Sequence, residues 1–225
     1  MVDYQYSSLF LKDSVDKQLR IVSDDGKINI TNTELHQEKF ELSESLCSDS
    51  ELTFGACEAG MIKFTVSNVF LPMKGKWLTA KMTLDGHEDK PFQIGRYKVY
   101  SDTPTADRTC RDVVAYDALY DILSSDVADW YNQVLPQKDS TVTLKQFRDS
   151  FFNHFGVEQE EVSLVNYEMI IEKTVEVTAS SSGSSDTAEK STIGEAMSGK
   201  EVLSCILEIN GCMGNIGRDG KFRYV

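Results

Sequence analysis

No apolar run among the 225 residues approaches the roughly 18–20 that a membrane-spanning helix needs. The start, Met1-Val-Asp-Tyr-Gln-Tyr, has no basic segment leading into an apolar core. No signal peptide is expected, and the product is expected to be soluble and made in a cytoplasm. Positive charge is scarce: 23 Lys and Arg stand against 36 Asp and Glu, a net charge of -13. That balance argues against a nucleic-acid-binding surface, because phosphate contacts need clustered Lys and Arg. Proximity to DNA is still compatible with it, since a conduit that passes DNA without holding it gains from repelling phosphate. The five cysteines are Cys47, Cys57, Cys110, Cys205 and Cys212. An odd count without a secretory segment points to reduced thiols rather than a disulfide framework. No pair has C-x-x-C spacing, which removes the common zinc and redox motifs and leaves small buried hydrophobes as the simplest reading.

Constellations for chemistry are missing as well. His87-Glu88-Asp89 holds metal-capable side chains, but it follows the turn Asp85-Gly86 and lacks a His partner one helical turn away, so a solvated loop is expected. His154 sits beside a phenylalanine-rich helix with nothing in the sequence linking it to a cysteine. Gly199-Lys200 lacks the preceding glycine pattern of a phosphate loop, and Gly211, Gly214 and Gly217 do not lead from a strand into a helix. Asp102, Asp107, Asp112 and Asp117 recur at five-residue steps, which does not keep carboxylates on one helix face. Trp130, Tyr131, Phe147, Phe151, Phe152 and Phe155 would suit a sugar platform, but on amphipathic helices core is the better reading. No catalytic, cofactor-binding or metal residue is assigned, no cofactor is expected, and the chain is read as non-enzymatic.

What the sequence does contain is the composition of a globular protein, 40% hydrophobic and 10% aromatic, long enough for one large domain or two small ones. The stretch from Leu42 to Val66 organises it. Leu52, Phe54 and Ala56 alternate, as do Ile62, Phe64 and Val66, with Gly55, Ala56, Ala59 and Gly60 between them. Two strands joined at a tight corner are expected. Before it, Tyr4 to Asp16 reads as an opening strand or arm, and Leu19–Val22 and Lys27–Ile30 flank the turn Ser23-Asp-Asp-Gly26 as a hairpin. After it, Lys76–Leu84 alternates and Phe92–Tyr100 returns beside it.

The period then changes. Val113, Val114, Tyr116, Ala118, Leu119, Ile122 and Leu123 fit a buried helix, and Val127, Trp130, Tyr131 and Val134 fit a second ending before Pro136. Thr143-Leu-Lys-Gln146 is a capping box opening an amphipathic helix that Gly156 ends. Met169–Ile171 and Thr174–Val177 read as strand. Residues 178–192, TASSSGSSDTAEKST, read as a flexible Ser-rich loop. Ser198-Gly-Lys-Glu201 is a second capping box, with Gly211 after the helix it opens. Arg218-Asp-Gly-Lys221 is a turn between two short strands. A chain stopping so soon after that turn is expected to be the N-terminal part of a longer polypeptide.

Three segments carry a resemblance. They are Glu44–Val66, then Gln93–Tyr100 running on through Thr105–Tyr120 with its Tyr-Asp-Ala-Leu pattern, and Ile193–Val225 with Met197–Leu203, Glu208–Gly211 and Gly217–Phe222. In series they resemble the N-terminal region of phage and prophage tail hub proteins, the tail-associated, "endopeptidase tail" type of baseplate hub. The resemblance implies an α+β fold: an N-terminal small antiparallel β-barrel or sandwich of tail-tube type over residues 1–105, then a smaller α+β domain over 106–225. It implies a structural role, a homotrimeric ring in the virion tail that closes the tail tube, meets the distal tail and tail-tube proteins and connects to the host-attachment apparatus. No membrane span and no sequence-specific nucleic-acid binding are expected, though DNA passes through such a ring. The alternatives are a carbohydrate- or receptor-binding module of the same tail tip and, further off, a cell-wall hydrolase.

Overall fold

Alternating apolar residues decide the first half of the chain. In the computed structural model, which describes residues 14–47, 52–85, 91–173 and 197–225, each alternating run but one is a strand. The strands are β1 (Lys17–Ser23), β2 (Asn29–Ile30), β3 (Glu41–Ser43), β4 (Met61–Ser67), β5 (Trp77–Leu84), β6 (Phe92–Pro104) and β7 (Cys110–Tyr116). They form one antiparallel sheet in the order β2-β1-β5-β6-β7-β4-β3. Ile21, Ile62, Phe64, Val66, Leu78, Ala80 and Val113 point to one face and are fully buried together with Ile28, Ile30 and Met73. The expected hairpin is present, with Gly26 at φ 67° closing its turn. Long β6 shifts register against both neighbours, near Ala80/Lys81 and near Val99/Ser101, and such bulges bend a strand.

The helices are α1 (Ala118–Ser124), α2 (Ala128–Val134), α3 (Leu144–Phe155) and α4 (Gly199–Ile209), and four short strands accompany them. β8 (Thr141–Thr143) pairs with β9 (Ile170–Glu172), and β10 (Gly214–Ile216) pairs with β11 (Phe222–Tyr224) across the expected Asp-Gly turn. Both capping boxes form as the sequence predicts. Thr143 Oγ1 accepts from Gln146 N–H at 3.2 Å while Gln146 Oε1 accepts from Thr143 N–H at 3.0 Å. Ser198 and Glu201 do the same for α4. Gly156 ends α3 at φ 64° and Gly211 follows α4 at φ 63°, the left-handed conformation that releases a chain from a helix.

Three expectations are corrected. Cys110–Tyr116 is strand, not the first half of a buried helix: Val113 and Ala115 go inward, Val114 and Tyr116 outward, and the helix begins only at Ala118. Ladder pairing to β6 and β4 on both sides outweighs a pattern that fits either period. Residues 52–56 are not a strand. Gly55 at φ 85° turns the chain, its N–H donates to Cys212 O, and Leu52 and Phe54 face solvent. The closed barrel is not seen as such: β2 and β3 are the edges of an open seven-stranded sheet. β3 itself went unforeseen, its three residues being too few to show a period.

The chain divides into two compact units. One is Met1–Ser45, Ala59–Leu119 and Ile216–Lys221; the other is Leu46–Glu58, Tyr120–Asn215 and Phe222–Val225. These units are interleaved along the chain. The first holds the sheet and its core. In the second, Trp130, Phe147, Phe151, Phe152, Leu203, Ile206, Leu207 and Phe222 are buried. Most of residues 4–16, the turn at His87-Glu88-Asp89, the expected strand at Thr174–Val177 and the Ser-rich loop at 178–192 lie outside the described residues.

Candidate functional site

The four aspartates at five-residue steps run along the β6–β7 hairpin and its exit, and each has a separate local task. Asp102 takes two bonds from Arg111, at 2.6 and 2.8 Å, and one from Met73 N–H at 2.8 Å. Asp107 accepts from the Thr105 hydroxyl and from the N–H and hydroxyl of Thr109, which hold its carboxyl down at about 2. Asp112 accepts the Thr65 hydroxyl at 2.6 Å. Asp117, buried where β7 passes into α1, accepts Gly60 N–H at 2.8 Å and Leu119 N–H at 2.9 Å.

Asp117 is the group nearest to chemistry. Burial pushes its carboxyl up to about 7, opposed by the two backbone N–H bonds and assisted by the charge of Glu44. Burial also raises the Tyr97 phenol well above its usual range, with Glu44 and Asp117 adding to the effect. Both Asp117 oxygens are engaged by main chain, and a Cβ on Gly60 would come within 2.8 Å of one of them. The arrangement ties the start of β4 to the start of α1. It is a structural brace.

His154 packs its ring against Phe155 and Trp130, with centroids 4.9 and 6.4 Å away. All five cysteines are free. The structure brings together one Cys and one His that lie 74 residues apart in the chain: Cys110 Sγ is 3.4 Å from His36 Nε2. Neither residue is enclosed, and a base-activated nucleophile needs a third group to orient the base. Among the described residues no three His, Cys, Asp or Glu side chains gather as a metal site. No described helix is long and apolar enough to cross a membrane.

The aromatic stripe is core, as its helical spacing predicted. Trp130 meets Phe147 and Phe151 at 5.0 and 5.1 Å and donates its indole N–H to Ser150 Oγ. Exposure falls elsewhere. After β4 the chain turns at Asn68, φ 61°, and presents Phe70, 88% exposed, and Leu71, 46% exposed. That loop is pinned behind them by buried Met73 and its bond to Asp102. In the second unit Leu52 and Phe54 are 67% and 65% exposed, on a segment held by Gly55 N–H to Cys212 O and by Ser204 Oγ to Gly55 O at 2.7 Å. Large apolar side chains held outward on anchored backbone are the form a protein contact takes. The alternation of residues 52–56 concealed this pair, because it reads equally as a buried strand face.

No protein-family model matches the sequence, and no curated protein matches it. Solved structures do. The 43 kDa tail protein of prophage MuSo2 from Shewanella oneidensis is similar over 93% of this chain and 55% of its own, with TM-score 0.55 and 12% identity. A tail protein from Neisseria meningitidis MC58 is similar over 92% of this chain and 50% of its own, with TM-score 0.51 and 9% identity. Prophage tail protein gp18 from Listeria monocytogenes EGD-e aligns at TM-score 0.45 and 14% identity. The chain spans about half the length of these proteins. Its fold is that of prophage tail proteins.

Proposed function

We propose that this chain is a structural component of a phage or prophage tail tip, where it forms the hub ring that closes the tail tube and connects it to the host-attachment apparatus. The likeness to the MuSo2 tail protein along nearly the whole chain carries this reading. On it, the open sheet takes the place of a tail-tube barrel in the ring, with irregular backbone running beside its β4 side. The chain leaving β2 runs alongside β4, where Leu35 bridges Val66, His36 N–H donates to Thr65 O at 3.0 Å and Ser67 N–H donates to Glu34 O at 2.9 Å. The ring is a homotrimer, its partners are the tail-tube and distal tail proteins, and Phe70, Leu71, Leu52 and Phe54 are its contact residues. It does no chemistry. The packing of Trp130 and its neighbours removes the aromatic platform on which a sugar-binding reading depended.

Light scattering and electron microscopy of the chain mixed with the tail-tube and distal tail proteins of its own particle test this. Trimeric rings capping tubes at one end are expected. A chain that stays monomeric with both partners present, and leaves tube ends bare, overturns it.

A further inference from the structure

Positive charge is the scarce commodity in this chain, yet the sheet collects it. Strands β1, β4, β5, β6 and β7 carry seven Lys and Arg against two Asp, a net +5 in a chain of net -13. Arg111 is satisfied by Asp102, and Arg96 pairs with Asp24 while lying 4.4 Å over the Trp77 ring. Among the described residues, Arg20 and Lys81 meet no carboxylate. Arg20 on β1 and Lys81 on β5 stand directly opposite each other in the antiparallel register, on the outward face. Like charges placed directly opposite each other across two strands repel and destabilise the pairing.

Their surroundings are a cleft of about 910 Å³ over β1 and β5. Asn29, on β2, accepts from Arg20 Nε at 2.8 Å, which orients the guanidinium without neutralising it. Thr79 and Thr83 flank Lys81 on the same face, each about 7 Å along the strand, and they line the cleft too. The one acid among the described lining residues, Asp24, is engaged by Arg96 at 2.5 Å. Two cations with no carboxylate partner among the described residues, beside two hydroxyls, match the charge and acceptor oxygens of a phosphate group.

We propose that this cleft is a binding site for a phosphate-bearing ligand, held by Arg20 and Lys81 with Thr79 and Thr83 as flanking donors. The site is independent of the tail-tip reading. A ligand phosphate relieves the cross-strand repulsion, so binding and sheet stability are linked.

Calorimetric titration of the full chain with inorganic phosphate, against sodium chloride at matched ionic strength, tests it. Saturable binding of phosphate alone is expected, lost at least tenfold in Arg20→Gln and in Lys81→Gln. Both variants are expected to melt at or above the temperature of the unsubstituted chain, because the repulsion is gone. A glycerol phosphodiester oligomer that binds more tightly than free phosphate assigns the site to a polymer, and equal affinity assigns it to the free ion. Heats that chloride reproduces, or phosphate binding that survives both substitutions, overturn the proposal.

Discussion

A buried carboxylate between two backbone donors is an unusual residue to find in a structural brace, and Asp117 sets the pH behaviour of the sheet. Its folded value of about 7 lies above its ordinary 3.8, so the native state holds a proton that the unfolded chain releases. The stability this contributes is fully present below about pH 4 and is lost as pH rises through about 7. Asp107, held down at about 2, behaves oppositely and only in acid, so it does not contribute to the slope near neutrality. Chemical denaturation at about pH 5 and about pH 8 should show the chain losing at most about 3 kcal/mol across that interval, two pH units' worth of the shift. Asp117→Asn should be less stable at the lower pH, having lost one acceptor, yet nearly flat between the two. An equally steep variant would place the titration elsewhere. Nothing in the sequence distinguished Asp117 from Asp107; only the fold buries one at a β7–α1 junction and leaves the other in an open turn.

Elements were legible where a terminus has its own chemistry. Thr143 with Gln146, Ser198 with Glu201, and the glycines at 156 and 211 specify start and stop by local bonds that survive any tertiary context. Thr143→Ala should cost about 1 kcal/mol in a thermal or denaturant melt. Period alone was less dependable. Val113 to Leu123 fits a helix as a string of apolar residues, but partners on both sides made its first part strand. The 52–56 alternation was real and its partner ladder was missing. Gly199, the first residue of α4, shows what docking demands: a Cβ there would fall 2.2 Å from the carbonyl oxygen of Ile122, a backbone atom that cannot swing aside. Gly199→Ala should therefore destabilise the chain by about 1–3 kcal/mol, although alanine is the better helix former. Unchanged or raised stability would mean that this contact yields.

At the scale of the whole molecule the exposed apolar residues and the fold likeness bear on assembly. Phe70→Ser with Leu71→Ser should leave the melting temperature within about a degree or two, since neither side chain is buried, and on the proposed ring it should abolish capping of tail tubes. Loss of folding instead would make the loop a part of the core. The proposed hub ring rests on resemblance alone. Charge, composition and spacing gave an acidic globular chain, and no arithmetic on those quantities yields a partner.

The interleaving of the two units bears on how such a chain is inherited. Particles that exchange parts by recombination favour parts that survive a single crossover. Here the backbone passes from one unit to the other at residues 45, 58, 119, 215 and 221, so no single crossover transplants either unit intact. A junction at residue 105 would hand over β6 without the β7 it pairs with along its length. A junction anywhere from residue 45 to residue 221 therefore divides at least one of the two units. On the tail-tip reading, hybrids with a junction in that interval should be rare among viable particles.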